Sequence, residues 1–238
     1  MADRVALVTG GTGGIGAAIV AALAQLGAAV TATGATREEA ESARALPDFA
    51  GREVVGLDVC DDAAVKQLID ALPVLDIVVN CAGIIRRQIE HEPAQFANTI
   101  AVNLTGTMRC CAHAREKLGR SRGSIVNVAS VYATFGAPHA PGYASSKGGV
   151  VQLTRSLAVA YAADGIRVNA IAPGWIATPL TTAVRGDAAK NEAVLARTPM
   201  RRWGDPREVA AAAVFLVSPA ATFITGAVLA VDGGYTIA

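Results

Sequence analysis

The stretch that decides the fold is residues 5–16, Val-Ala-Leu-Val-Thr-Gly-Gly-Thr-Gly-Gly-Ile-Gly. Its first five residues form an apolar run typical of a buried β-strand, and the glycine-rich turn leads into an alanine-rich segment of helical character. Glycines let a backbone turn tightly and approach a phosphate, while the following helix N-terminus offers free N–H groups and a positive dipole end. Residues 5–16 therefore predict a strand, a turn and a helix that bind the pyrophosphate of a dinucleotide.

The glycines fit two spacings at once. Residues 11, 13 and 16 match GxGxxG, and residues 9, 10, 14 and 16 match TGxxxGxG. A glycine turn also serves plain strand-to-helix connections, but its position at the first such junction of the chain favours a dinucleotide site.

The rest of the chain alternates short β-branched runs with longer Ala/Leu-rich segments of helical period. Strands are predicted at 4–9, 28–33, 53–57, 75–80, 123–128, 167–171 and 228–231. Helices are predicted at 14–26, 37–46, 61–72, 94–118, 142–163 and 206–217. This order is typical of an α/β fold, a Rossmann-type doubly wound parallel seven-stranded sheet with helices on both faces. No linker or repeat divides it, so we expect a single domain over 1–238.

The segment 172–203 is the least regular, because four dipeptides containing proline or glycine interrupt it: Pro173-Gly174, Thr178-Pro179, Arg185-Gly186 and Thr198-Pro199. Parallel sheets bind ligands beyond the carboxyl ends of their strands. We therefore expect a substrate lid within 175–203.

Composition excludes several classes of protein. The 238 residues carry 21 Lys and Arg against 20 Asp and Glu, so no basic field is available for a nucleic-acid partner. With 52% hydrophobic and 17% charged residues, the chain is not expected to be disordered. Residues 5–36 and 209–231 lack charge, yet glycine, threonine and proline interrupt them, so we interpret both as buried in protein and expect no membrane segment.

The sequence also lacks the features of a secreted, disulfide-linked or metal-binding protein. We see no signal peptide, because Asp3-Arg4 leads straight into the first strand, and we expect a cytoplasmic protein. Cysteines 60, 81, 110 and 111 lack CxxC spacing, and histidines 91, 113 and 139 have no partner at ligand spacing. We therefore expect neither a disulfide framework nor a metal site.

Tyr143 and Lys147 are four residues apart on a predicted helix, so their side chains share one face. A free tyrosine has a pKa of about 10, and a neighbouring ammonium favours the phenolate. We therefore expect Lys147 to lower the pKa of Tyr143, which makes the phenol a candidate general base.

The glycine turn, Asn80-Cys81-Ala82-Gly83, Ser130, Tyr143-Ala144-Ser145-Ser146-Lys147 and the ending Val231-Asp232-Gly233-Gly234 stand in an order that resembles the short-chain dehydrogenase/reductase family. The resemblance spans nearly the whole chain and implies an NAD(P)-dependent enzyme that transfers a hydride between nicotinamide and a secondary alcohol or ketone. Cys81 stands where a second asparagine is commoner in the family.

The resemblance also implies roles for individual residues. Ser130 would hydrogen-bond the substrate oxygen, Tyr143 would exchange its proton, and Lys147 would hold the nicotinamide ribose. Asn103 matches the helix asparagine that holds a water leading from Lys147 to solvent. The matched cofactor-binding residues are Gly10, Thr12, Gly14, Ile15, Gly16, Asp58, Val59, Asn80, Ala82, Gly83, Tyr143, Lys147, Pro173, Gly174, Ile176 and Thr178.

The choice between NAD and NADP rests on few residues. The predicted second strand runs into Thr33-Gly34-Ala35-Thr36, without the acid that grips the ribose of NAD. Gly13 occupies the place where many NADP-using relatives have a basic residue, although Arg37 can reach a 2′-phosphate. We predict NAD.

Two arginine-containing segments resemble the sugar-acid branch of the family, the 2-deoxy-gluconate 3-dehydrogenase and gluconate 5-dehydrogenase type. The candidates to bind a substrate carboxylate are Arg86, Arg87, Arg201 and Arg202. The same arginines could equally be solvated loop charges or subunit contacts. A small polyhydroxy acid is the predicted substrate. The alternatives are an NADPH-dependent 3-oxoacyl-thioester reductase and a non-enzymatic dinucleotide-sensing module. Relatives of this kind imply a homotetramer.

Overall fold

The computed structural model describes all of residues 1–238. Seven strands form one sheet: β1 Val5–Thr9, β2 Ala29–Gly34, β3 Glu53–Gly56, β4 Ile77–Asn80, β5 Ser124–Val128, β6 Arg167–Pro173 and β7 Val228–Val231. All neighbours are parallel and the order is β3-β2-β1-β4-β5-β6-β7. The predicted doubly wound seven-stranded sheet is confirmed.

Nine α-helices connect the strands: α1 Gly14–Gln25, α2 Arg37–Arg44, α3 Asp62–Ala71, α4 Pro93–Ile100, α5 Gly106–Ser121, α6 Pro141–Tyr161, α7 Thr182–Arg185, α8 Ala188–Arg197 and α9 Pro206–Val217. The sheet buries an apolar cluster on each face. On one face, Ile19 of α1 and Val209 of α9 pack over the strands; on the other, Ile69 of α3 and Leu118 of α5 do so. Coverage of both faces explains why the central strands β1 and β4 consist mostly of buried apolar residues.

The charge-free runs take their places in this core. Residues 5–36 form β1, the glycine turn, α1 and β2, and residues 209–231 form most of α9 and all of β7. No helix combines the length and apolar character that crossing a membrane requires.

The predicted helix 94–118 is interrupted. Between α4 and α5 the chain makes a π-helical turn, Ala101–Thr105, which inserts an extra residue into the helical repeat. Asn103 lies fully buried in this turn, and its side chain bonds to neighbouring elements. A regular apolar period gives no sign of such an insertion.

Other differences are small. β4 begins at Ile77 instead of residue 75, and β6 continues to Pro173 instead of ending at 171. The irregular segment 175–203 contains two helices, α7 and α8, and Asp187 begins α8 by accepting the N–H of Lys190.

Candidate active site

The glycine turn is shaped by contacts that only glycine permits. Gly10 has φ +62°, and a Cβ there would lie 2.7 Å from Cα of Ala82. A Cβ on Gly16 would lie 2.0 Å from the carbonyl oxygen of Gly10. The turn thus packs against the segment after β4. Because α1 begins at Gly14 with no side-chain cap, its first N–H groups are free to bind an anion.

A cavity of about 460 Å³ lies along the carboxyl ends of β1 to β4 and extends to α6. Twelve of the predicted cofactor-binding residues line it: Gly10, Thr12, Gly14, Ile15, Gly16, Asp58, Val59, Ala82, Gly83, Tyr143, Lys147 and Thr178. A turn that is closed to a Cβ at Gly10 and Gly16, next to a free helix N-terminus, fits the pyrophosphate of a nicotinamide dinucleotide.

A second cavity adjoins the first, and Tyr143 lines both. Ser130 lines it from the end of β5, and the predicted residues Pro173, Gly174, Ile176 and Thr178 line it from the loop after β6. A substrate in the second cavity and a cofactor in the first would therefore meet at the phenol of Tyr143.

Lys147 is held in place by the end of β5. It is 4% exposed, and its Nζ donates a hydrogen bond to the carbonyl oxygen of Val128 at 2.7 Å. Nζ lies 5.6 Å from the centre of the Tyr143 ring. Burial lowers the pKa of Lys147 to about 8, because the charged form loses its hydration.

The pKa of Tyr143 departs from the sequence-based expectation. Burial raises the pKa of the phenol, and the groups that act to lower it are the Ser130 hydroxyl and the Arg87 guanidinium. Cys81 and Glu90 act to raise it. Lys147, which we expected to lower this pKa, is not among these groups. Arg87 therefore has an electrostatic part in the site that the spacing of Tyr143 and Lys147 did not predict.

Asn103 serves the segment after β4. Its Oδ1 accepts the N–H of Ile84 at 2.8 Å, and its Nδ2 donates to the carbonyl of Ile84 at 2.9 Å and to Oγ of Ser146 at 3.0 Å. The π-helical turn thus ties the cofactor side of the site to α6. The role of Asn103 in holding a water stays a prediction.

Asn80 lies elsewhere. Its Nδ2 donates to Oδ1 of Asn127 at 2.8 Å and to Sγ of Cys111 at 3.3 Å, while its Oδ1 has no partner. The side chain is not part of either cavity wall, so any contact between Asn80 and a cofactor would have to come from elsewhere in the residue or after a rearrangement.

The four candidate arginines separate clearly. Arg87 lines the second cavity, and its Nε is buried without a hydrogen-bond partner. Arg202 forms a two-point ion pair with Glu208, and Arg86 and Arg201 are exposed. Only Arg87 is placed to meet a substrate beside Tyr143.

Two functional features were missed in the sequence. Aromatic rings form one wall of the second cavity, where Tyr132 contacts Tyr143 and Trp175 edge to face, with ring centres 6.2 Å apart in each pair. Glu90, 1% exposed, accepts the backbone N–H of Arg86 at 2.6 Å and that of Tyr143 at 2.7 Å. No pattern marks Glu90, because Tyr143, whose N–H it accepts, is 53 residues away in the chain.

Comparison with known proteins places this site in a family. Residues 10–236 match the family model described as Enoyl-(Acyl carrier protein) reductase. The chain is 43% identical over 244 residues to cis-4-hydroxycyclohexanecarboxylate dehydrogenase of Sinomonas cyclohexanicum, covering 99% of this chain and 97% of the relative. It is 35% identical to 2-dehydro-3-deoxy-D-gluconate 5-dehydrogenase of Formosa agariphila, with 97% and 92% covered. It is 40% identical to a 3-oxoacyl-(acyl-carrier-protein) reductase of Vibrio harveyi, with 97% and 96% covered.

Solved structures similar to this chain include members of the same group of dehydrogenases. A gluconate 5-dehydrogenase of Burkholderia cenocepacia in complex with NADP and tartrate superposes with a TM-score of 0.93 at 36% identity, covering 100% of this chain and 97% of that one. A proposed 2-deoxy-D-gluconate 3-dehydrogenase of Agrobacterium tumefaciens with bound NADP gives 0.90 at 40% identity, with 100% and 98% covered. The chain belongs to the short-chain dehydrogenase/reductase family. It is an NAD(P)-dependent oxidoreductase.

Proposed function

We propose that the enzyme exchanges a hydride between a nicotinamide cofactor and a secondary alcohol or ketone of a small polyhydroxy carboxylic acid. The observation that carries this proposal is the guanidinium of Arg87 in the cavity beside Tyr143 and Ser130. Four of the relatives described above are named for small hydroxy or keto acids.

Arg87 supports a carboxylate ligand through its unmet hydrogen bonds. Its Nε is buried without a partner, and its Nη1 reaches only the carbonyl oxygen of Leu180, at 3.4 Å. A buried donor without a partner is costly, and a guanidinium binds a carboxylate through two parallel N–H groups. A substrate carboxylate would therefore supply the hydrogen-bond acceptor that the Nε of Arg87 lacks within the protein.

Ser130 and Tyr143 would act on the oxygen of the reacting carbon. In oxidation the Tyr143 phenolate takes the hydroxyl proton while Ser130 hydrogen-bonds the same oxygen; in reduction Tyr143 returns the proton. The nicotinamide, when bound, supplies or accepts the hydride. Lys147 would hold the ribose beside it, and the N-terminus of α1 the pyrophosphate.

NAD is the proposed cofactor. Lys147 is the only basic side chain in the wall of the first cavity, and it lies beside Tyr143, at the nicotinamide end. A 2′-phosphate on the adenosine ribose would therefore meet no cation in that wall. This proposal runs against the NADP bound in the two structural relatives.

We also propose a homotetramer, a lid and a compartment. Val159 on α6 and Phe223 before β7 are 82% and 104% exposed, as expected of surfaces covered by other subunits. Leu180, within the proposed lid 175–203, already lines both cavities. Four free cysteines suit a reducing cytoplasm. A monomeric mass in solution would contradict the tetramer.

The second candidate is reduction of a 3-oxoacyl thioester, supported by the Vibrio harveyi relative. Such a substrate offers no carboxylate at its reacting end and would leave Arg87 unpaired. We therefore favour the hydroxy acid.

A matched pair of substrates tests the proposal. Gluconate and glucitol have six carbons and differ in the terminal carboxylate. We expect kcat/KM to favour the acid by about 10- to 100-fold, the value of one or two charge-assisted hydrogen bonds. Arg87→Met should remove this preference, while Arg86→Met, which changes the neighbouring exposed arginine, should keep it. Equal rates for acid and polyol with the wild-type enzyme, or activity only on acyl thioesters, would rule the proposal out.

A further inference from the structure

An acidic side chain that no sequence pattern marked lies at the adenosine end of the first cavity. Glu39 is in the first turn of α2, which begins at Arg37 because the Thr36 hydroxyl accepts the N–H of Glu39 at 3.2 Å. One carboxylate oxygen of Glu39 accepts the hydroxyl of Thr12, and the other accepts the N–H of Ala35 at 2.9 Å. The carboxylate thus bridges the glycine turn and the end of β2.

The local backbone keeps Glu39 at this place. A Cβ on Gly34 would lie 3.1 Å from Cγ2 of Thr12 and 3.2 Å from Cβ of Glu39. Glycine at the end of β2 therefore lets the first turn of α2 approach the glycine turn closely. Strand β2 has no acid at its end, and the helix supplies one five residues later.

Glu39 lines the cavity at the end opposite Tyr143 and Lys147, together with Thr12, Ala35 and Asp58. With the pyrophosphate over the glycine turn and the nicotinamide at Tyr143, this end is left for the adenosine ribose. The charged side chains here are the two carboxylates.

Two arginines near this end of the cavity already have hydrogen-bond partners. Arg37 forms an exposed ion pair with Glu41 at 2.7 Å. The guanidinium of Arg44 donates from Nε to the carbonyl oxygen of Val54 at 2.8 Å and from Nη2 to the same oxygen. Both line an adjoining cleft, which shares Ala35, Leu57 and Asp58 with the first cavity. Neither guanidinium lines the cavity that Glu39 faces.

A carboxylate discriminates between the two cofactors by charge and by hydrogen bonding. It accepts a hydrogen bond from a ribose hydroxyl, whereas a 2′-phosphate carries about −1.5 to −2 charge at neutral pH and only accepts. Accepting from a ribose hydroxyl is the role of the acid that follows the second strand in NAD-binding sheets.

We propose that Glu39 sets the cofactor preference, because its carboxylate accepts a ribose hydroxyl of NAD and repels the 2′-phosphate of NADP. This inference deepens the proposed use of NAD and rests on adenosine binding at this end of the cavity.

Binding without turnover tests the inference. The affinities of ADP-ribose and 2′-phospho-ADP-ribose are measured by titration calorimetry for the wild-type protein, Glu39→Gln and Glu38→Gln. Glu38 is a matched control, since it loses the same charge from the same helix turn but does not line the cavity. We expect wild type to bind ADP-ribose at least about tenfold more tightly, with a gap that narrows as salt screens this exposed carboxylate.

Glu39→Gln should tighten binding of the 2′-phosphate ligand about tenfold or more, while Glu38→Gln stays within about twofold of wild type. Glu39→Asp, which keeps the charge, should keep the wild-type order. A ratio unchanged in Glu39→Gln overturns the role of Glu39, whichever ligand wild type prefers. A wild-type preference for the 2′-phosphate that Glu39→Gln strengthens tenfold would overturn the use of NAD and retain the role of Glu39. Failure of the hydroxy-acid assay leaves this binding result unaffected.

Discussion

Glu90 links three parts of the active site, and its replacement by glutamine should weaken both folding and catalysis. Its carboxylate accepts the N–H of Arg86, the N–H of Tyr143 and, at 3.3 Å, the hydroxyl of Thr99. The first turn of α6 has no side-chain cap and no acid of its own, so Glu90 is the anion at the N-terminus of the catalytic helix.

The magnitude follows from these contacts. An amide has one accepting oxygen, so Glu90→Gln leaves either the N–H of Arg86 or that of Tyr143 facing an NH₂ group. Losing one charge-assisted hydrogen bond at a buried site costs about 1.5–3 kcal/mol, and losing the helix-dipole interaction up to about 1 kcal/mol more. We expect the free energy of unfolding to fall by about 3 kcal/mol in urea titrations.

Activity should change in a way that instability alone would not produce. Displacing Tyr143 lowers kcat by up to about 100-fold. Because Glu90 raises the pKa of Tyr143, its neutralisation should move the pH dependence of oxidation to lower pH. The other titratable or charged side chains near Glu90 and Tyr143 are His139, Arg87 and Lys147, and the substitution leaves them in place.

The control is Glu92→Gln, the same change two residues away at an exposed position that makes no capping bond. If Glu90→Gln and Glu92→Gln unfold within about 0.5 kcal/mol of each other, the value expected of ordinary surface substitutions, the assignment is wrong.

Three further predictions concern other parts of the site. Burial lowers the pKa of Lys147 to about 8 from 10.5, a cost of about 3 kcal/mol that is present below pH 8 and lost as the pH rises to 10.5. Lys147→Met should be inactive, because the nicotinamide ribose loses its partner. Its free energy of unfolding at pH 7 should nevertheless rise by about 2 kcal/mol, which is the burial cost removed less the lost hydrogen bond to Val128. In urea titrations this gain should vanish near pH 10.5. Gly16→Ala places a Cβ 2.0 Å from a backbone oxygen and should lower both the thermal midpoint and the affinity for NAD in calorimetry, whereas Gly13→Ala, with open space around its Cβ, should leave the midpoint unchanged. Arg87→Met should shift the rate of oxidation to higher pH, since Arg87 lowers the pKa of Tyr143; an unshifted profile would contradict this.

The sheet could be predicted because its central strands, such as β1, β4 and β5, are almost wholly buried and rich in apolar residues. The glycine turn could be predicted because a close backbone approach excludes every other residue. The π-helical turn at Asn103 could not be predicted, because one residue inserted into a helix does not change the amino-acid composition of the segment. Glu39 and Glu90 also escaped, because their partners lie across the fold: Thr12 is 27 residues from Glu39, and Tyr143 is 53 residues from Glu90. The pKa of Tyr143 depends on Arg87 for the same reason.

The most direct test is the oxidation of gluconate-type acids with NAD by the wild-type enzyme and by Tyr143→Phe. We expect measurable turnover by the wild type and a loss of about 10²- to 10⁴-fold in kcat for the variant, because the proton-accepting hydroxyl is removed. Equal kcat values for the two proteins, or turnover of acyl thioesters alone, would contradict the assignment of Tyr143 and Arg87 to hydroxy-acid chemistry.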